Sequence, residues 1–156
     1  MGRNVGTCRY GRRMPQHTQN TQNTQNDGSG APSAIAPLAS ISIDCPRPDD
    51  LVPFYSALLG LEEAFAADDR SVVCLAGAGP MVTLMRADEY VAPQWPDGPQ
   101  HAQMHLDLAA ADLEDAVAAA RRIGAREAGV QPDPSAWRVM LDPVGHPFCL
   151  SAVRPG

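Results

Sequence analysis

From residue 37 onward the chain alternates and then spirals, and it does so twice. In Ala39–Cys45 the apolar Ile41, Ile43 and Cys45 share one parity, with Ser40, Ser42 and Asp44 on the other, which is the pattern of a half-buried strand. Leu51, Phe54, Tyr55, Leu58 and Leu59 then recur at i, i+3, i+4, i+7 and i+8, one face of a helix. Asp49 or Asp50 is placed to cap that helix, and Gly60 to end it. Pro53 requires a start near Asp50, so that the ring falls in the first turn. Strands are expected at Leu61–Ala66, Ser71–Leu75 and Met81–Arg86, with Asp68-Asp69 and Gly77-Ala78-Gly79-Pro80 as the turns between them. A linker rich in Pro and Gly covers 87–100.

The second half repeats this order. Gln103–Leu108 alternates, with His105 and Asp107 opposite Met104, Leu106 and Leu108. Asp112 is placed to cap a helix that carries Leu113, Ala116, Val117, Ala120 and Ile123 on one side and ends at Gly124. Strands are expected at Arg126–Val130, Trp137–Leu141 and Phe148–Val153, and Asp142-Pro143-Val144-Gly145 suits a type I turn. Leu59-Gly60-Leu61-Glu62-Glu63-Ala64 lies over Ile123-Gly124-Ala125-Arg126-Glu127-Ala128, with Gly, Glu and Ala coinciding at an offset of 64. The expectation is an α+β domain over 37–156, built from two βαβββ modules at about 39–86 and 103–153. A ferredoxin-like unit fits less well, because three strands rather than one or two follow each helix.

Composition narrows what such a domain does. Residues 1–36 hold the triplet Thr-Gln-Asn three times between Thr18 and Asn26 and are expected to form a disordered polar tail. They carry four Arg against one Asp, net +3, while 37–156 carry eight Arg against seventeen acids, net −9. An acidic domain is repelled by phosphate backbones and anionic lipid, so neither nucleic acid nor membrane is an expected partner. No apolar run approaches the roughly 18 residues of a membrane span. The residues after Arg12-Arg13 are too polar for an export signal, so a cytoplasmic setting is expected, with Cys8, Cys45, Cys74 and Cys149 reduced. All twelve basic residues are Arg, which excludes lysine Schiff-base chemistry.

Four segments carry a family likeness: Ser42–Gly60 (SIDCPRPDDLVPFYSALLG), Trp95-Pro96, Gln103–Ala109 (QMHLDLA) and Trp137–Leu150 (WRVMLDPVGHPFCL). Together they resemble the glyoxalase/bleomycin-resistance/extradiol-dioxygenase (vicinal oxygen chelate) superfamily, within it a glyoxalase-like subgroup. The resemblance implies curved mixed sheets around a cavity, with the helices outside. It also implies up to four side chains that bind a divalent ion, at positions that fall on Ser40 (Ser42 if the register slips), near Thr83, on His105 and on Cys149. Only His105 is a ready ligand there, and one imidazole does not hold a divalent ion. No cofactor is therefore expected. If a divalent metal is held, the candidates are His105, Cys149 and one of Asp44 or Asp107, as a zinc or iron site.

The polar parity of both halves either faces solvent or lines a pocket, and the resemblance favours the pocket. The candidate ligand-binding residues are Ser40, Ser42, Asp44, Trp95, His105, Asp107, Trp137 and Cys149. His105 is the candidate catalytic residue, paired with Asp107 as acid and base; its plainer reading is a hydrogen-bonded structural histidine. Trp95 either stacks on a flat ligand or pins the linker to a sheet. The expected function is small-molecule binding or sequestration in a cavity with a degenerate metal site. The alternatives are a metal-dependent lyase, isomerase or dioxygenase of the same superfamily, and a module that pairs as a homodimer.

Overall fold

In the computed structural model of the protein, residues 35, 36 and 38–152 are described. The tail expected over 1–36 lies outside them apart from its last two residues, as does the expected strand end at Val153. The first module runs β1 (Ser40–Cys45), α1 (Pro48–Leu59), β2 (Glu62–Ala66), β3 (Val72–Ala76) and β4 (Met81–Arg86). The second runs β5 (Leu106–Ala109), α2 (Leu113–Arg122), β6 (Arg126–Glu127), β7 (Trp137–Leu141) and β8 (Pro147–Ser151).

Each module makes its own four-stranded mixed sheet, in the order β1-β4-β3-β2 and β5-β8-β7-β6. The first strand of each pairs parallel with the last, and the remaining ladders are antiparallel. The repeat reaches down to the helix ends. Leu61 N–H donates to Ser56 O at 3.1 Å and Ala125 N–H to Ala120 O at 3.0 Å, the same closing bond in each copy. Gly60 (φ +65°) and Gly124 (φ +112°) make those closures possible, because a side chain is strained at such angles.

Four expectations about the elements need correction. Helix α1 begins at Pro48 rather than near Asp50, with Arg47 as its N-cap and no side-chain cap. Pro48 opens the first turn, where its missing N–H is not needed, while Asp49 and Asp50 sit where their charge complements the helix dipole. Pro53 then lies inside the helix, and the Asp49 carbonyl it leaves without an N–H belongs to an exposed residue. Strand β5 starts at Leu106, not Gln103, because its partner β8 begins only at Pro147 and Leu106 already pairs with Phe148. Strand β6 is two residues long instead of five. The Gln131 side chain takes over the ladder there: its Nε2 donates to Ala128 O (3.0 Å) and Val139 O (2.8 Å), and its Oε1 accepts from Val139 N (2.8 Å).

Helix α2 forms as its pattern predicts. Asp112 accepts from Asp115 N at 2.9 Å, acidic Glu114 and Asp115 fill the first turn, and Arg121 and Arg122 fill the last. Ile43, Val73, Leu75, Val82 and Leu84 pack under Leu51, Phe54 and Tyr55 of α1. They continue into Met140, Phe148 and Leu150 of the second module as one cluster. Phe54 stands edge-on to Tyr55 (5.1 Å) and to Phe148 (6.0 Å), so α1 carries the contact between modules. Each such buried side chain contributes about 1.5–3 kcal/mol of hydrophobic stabilisation.

The junction also has a polar clasp. Asp142 is fully buried, although a turn aspartate is ordinarily exposed. Its Oδ1 accepts from Val144 N (3.0 Å), Gly145 N (2.7 Å) and His146 N (2.8 Å), and its Oδ2 accepts from the Tyr55 hydroxyl of α1 at 2.9 Å. Burial, followed by the Asp142 charge, holds the Tyr55 phenol well above its ordinary pKa, so the hydroxyl stays a donor. His146 Nε2 donates to Asp44 O at 2.7 Å and Tyr90 donates to Val144 O at 3.1 Å, which tie the same turn to β1 and the linker. Among the described residues no helix is long and apolar enough to cross a membrane.

Candidate functional site

The second sheet has two faces of different chemistry, set by ladder register. Leu106 and Leu108 lie opposite Phe148 and Leu150 on the side that joins the core. Asp107 lies opposite Cys149, and Ala109 opposite Ser151, on the other side. Strand β7 adds Trp137 and Val139 to that second face, through its pairing with Ser151 and Cys149. Its alternate residue Arg138 points toward α2, where it bonds Glu114 at 2.5 Å. Strand β7 therefore carries apolar residues on both faces, with Met140 in the core and Trp137 and Val139 on the cavity side.

That face floors an open cavity of about 630 Å3 lined by Trp95, His105, Asp107, Leu108, Ala109, Pro132, Trp137, Cys149 and Ser151. Trp95 arrives from the linker. Its indole N–H donates to Val130 O at 3.1 Å, and its ring stands edge-on to His105 at 5.9 Å. It also packs with Val139, Cys149 and Ala128. Trp95 thus pins the linker and walls the cavity at once, so the two readings of this residue do not exclude each other.

Three polar groups meet on the floor. His105 Nε2 is 3.5 Å from Asp107 Oδ1, and the ligand atoms of His105, Asp107 and Cys149 all lie within 4.8 Å of one another. Cys149 is 6% exposed. Burial, the Asp107 charge and a hydrogen bond donated to that carboxylate push its thiol up to about 11. At pH 7 the sulfur is therefore a thiol, with thiolate at roughly one part in ten thousand. Alkylation of Cys149 by iodoacetamide should be slow at neutral pH, rise about tenfold per pH unit, and level off near 11 rather than near the ordinary thiol value. Peptide mass spectrometry across a pH series measures it; a plateau at or below pH 9 would contradict this environment.

The other candidates stand elsewhere. Ser40, Ser42 and Asp44 are on the open face of the first sheet and are not among the residues lining this cavity. Ser40 Oγ and Thr83 Oγ1 are 2.7 Å apart and satisfy one another, with Cys74 Sγ 3.6 Å from the same Thr83 oxygen. At the four metal positions the resemblance implies, two neutral hydroxyls thus stand in the first module. Neutral hydroxyls that satisfy each other are a poor donor set for a divalent ion. His101, four residues before His105, bonds Gln103 at 2.8 Å and does not line the cavity. Of the cavity residues, Pro132, Leu108 and Ala109 were not legible as such: Pro132 lies in a loop without periodicity, and the other two carry no polar chemistry.

With that geometry in view, the chain can be set beside known proteins. A family model described as a glyoxalase-like domain matches residues 40–151. Among curated proteins none matches. Solved structures share the fold at low identity. The fosfomycin resistance protein FosX of Listeria monocytogenes aligns with a TM-score of 0.59 at 14% identity, covering 78% of this chain and 94% of that one. A glyoxalase/bleomycin resistance protein/dioxygenase family enzyme of Burkholderia phytofirmans aligns at 0.54 and 15% identity, covering 74% and 97%. A glyoxalase family protein of Enterococcus faecalis aligns at 0.55 and 18%, covering 73% and 95%.

Proposed function

The chain belongs to the glyoxalase-like domain family, and from that premise we propose that it binds a small molecule in the cavity on its second sheet. The observation that carries this reading is the pairing of two tryptophans over a polar floor. Trp95 and Trp137 offer flat apolar walls, while His105, Asp107 and Ser151 offer a few directed polar groups. Apolar walls with sparse polar contacts are the usual make-up of a ligand site. The ligand this suits is a flat or partly apolar molecule with a hydrogen-bond donor or cationic group for Asp107. Binding or sequestration, in a cytoplasmic setting and without nucleic acid or membrane, accounts for these features.

A metal-dependent reaction is the second reading. One structure of Listeria FosX is described as complexed with Mn(II) and a dihydroxypropylphosphonic acid. In this chain the hydroxyl pair Ser40–Thr83 argues against an equivalent ion shared between modules. His105 would then act in binding, as an acceptor or donor, rather than as a metal-assisted base.

A thermal-shift screen of metabolites and antibiotics on the full chain tests the proposal, because a ligand that binds only the folded state raises Tm. At 100 times Kd the stabilisation is about 2.7 kcal/mol. Compounds that shift the parent should shift His105→Ala less. Equal shifts in parent and variant would remove His105 from the site, and the absence of any stabilising compound would remove the ligand reading.

A further inference from the structure

We infer that Gln131 is a positioning residue for the cavity: its side-chain amide fixes the connection between β6 and β7, and that connection holds the Trp95 side of the wall. Gln131 is not among the lining residues. Pro132 on one side of it is, and Val130 on the other side holds Trp95. The inference rests on the small-molecule reading only for what the wall encloses.

The internal repeat shows where the second module departs from the first. At the offset of 64, Glu62–Ala66 of β2 corresponds to 126–130. Strand β2 stays on β3 as far as Ala66, which pairs with Val73. Strand β6 leaves β7 after Glu127, apart from one bond from Ala128 N–H to Val139 O at 3.0 Å. The connection that follows covers 128–136, where the first module has only 67–71. In place of a ladder, this longer connection brings Val130 O to the Trp95 indole N–H at 3.1 Å and Pro132 to the cavity.

Burial does little to hold that stretch, because Gly129, Val130 and Pro132 are exposed. The amide of Gln131 does hold it. Its Nε2 donates to Ala128 O (3.0 Å) and Val139 O (2.8 Å), and its Oε1 accepts from Val139 N (2.8 Å). The side chain thus bonds both backbone groups of one β7 residue, as the next rung of a strand would, and Val139 packs with Trp95 and Trp137. Without the amide, Val130 O can move off the indole, and Trp95 keeps only its packing on Ala128, Val139 and Cys149. The far end of the connection is held separately. Asp133 O accepts from Trp137 N at 3.1 Å, and the Asp133 carboxylate accepts from Ser135. Trp137 therefore serves as an internal control.

The test uses the full chain, isotope-labelled at tryptophan. The two indole N–H signals are assigned with Trp137→Phe, and their exchange with water is followed by NMR. Gln131→Met keeps the length of the side chain and loses the amide. In it the Trp95 indole hydrogen should exchange about tenfold faster or more, and the Trp137 one at the parental rate. Acrylamide should also quench Trp95 emission more strongly in Gln131→Met than in its parent, both carrying Trp137→Phe. Tyr55→Phe controls for stability lost elsewhere, because Tyr55 bonds Asp142 at the module junction, and it should leave Trp95 exchange unchanged. Circular dichroism checks that each variant is folded. Gln131→Asn, which keeps an amide and shortens its reach, replaces a Gln131→Met that does not fold. Parental Trp95 exchange in the folded Gln131 variant would overturn the inference. So would equal acceleration of both indoles, or the same acceleration in Tyr55→Phe. Neither readout needs a cavity ligand. A screen without any stabilising compound would sink the ligand reading and leave the role of Gln131 standing. Stabilising compounds, with Trp95 unmoved in the Gln131 variant, would do the reverse.

Discussion

Asp142→Ala is expected to lower stability by about 3–5 kcal/mol, the largest loss of any single polar substitution in the domain. The carboxylate is fully buried and accepts from three backbone N–H groups of its own turn and from the Tyr55 hydroxyl of α1. Alanine takes the acceptor from the buried Tyr55 hydroxyl and from the part-buried Val144 and His146 N–H groups, leaves Gly145 N–H only its 3.1 Å bond to Asp142 O, and opens a void where the two modules join. Tyr55→Phe removes only one donor to a carboxylate that keeps the other three bonds, so it should cost about 1–2 kcal/mol. In the double variant the losses should fall short of their sum, because the Tyr55–Asp142 bond can be lost only once. Urea unfolding of the four proteins measures this, with a fall in Tm of about 10 °C or more for Asp142→Ala. A loss below about 1 kcal/mol would mean that the turn is not the clasp between modules.

Trp137→Ala should weaken any cavity ligand by about tenfold or more, the worth of one desolvated aromatic wall. Trp137 stands on β7 and its side chain is part of the cavity lining. Both rings pack against the Ala128, Val139 and Cys149 cluster, but Trp95 is different because its indole N–H also holds Val130 O. Trp95→Ala should therefore lose both affinity and stability, whereas Trp95→Phe keeps a ring and drops the hydrogen bond. Isothermal titration of screen hits against the three variants separates wall from pin. Unchanged affinity in Trp137→Ala would place the ligand elsewhere.

Much of this architecture was legible because it is periodic. Alternation at Ile41 and Ile43 and the i, i+3, i+4 spacing of Leu51, Phe54 and Tyr55 report burial directly. The Gly60/Gly124 coincidence marked a closing bond that the structure repeats in both copies. What was not legible depends on contacts distant in the chain. Asp142 reads as an exposed turn residue, and only the arrival of Tyr55, 87 residues earlier, buries it. Parity put Ser40, Ser42 and Asp44 on the same kind of face as His105, Asp107 and Cys149, but it says nothing about which sheets meet. Gln131 replaces the end of a strand with a side chain, a substitution that β propensity does not register. Helix α1 begins two residues before the start that Pro53 alone suggests, because Pro48 suits the first helical position.

Trp95 and Trp137 are the only tryptophans in the chain, and both wall the cavity. Tryptophan emission therefore reports its occupancy without any label. The decisive measurement is a fluorescence titration of each compound that raises Tm. The account predicts that emission changes with the same Kd as the stabilisation, in every case. A compound that stabilises the protein and leaves both tryptophans' emission untouched would contradict it.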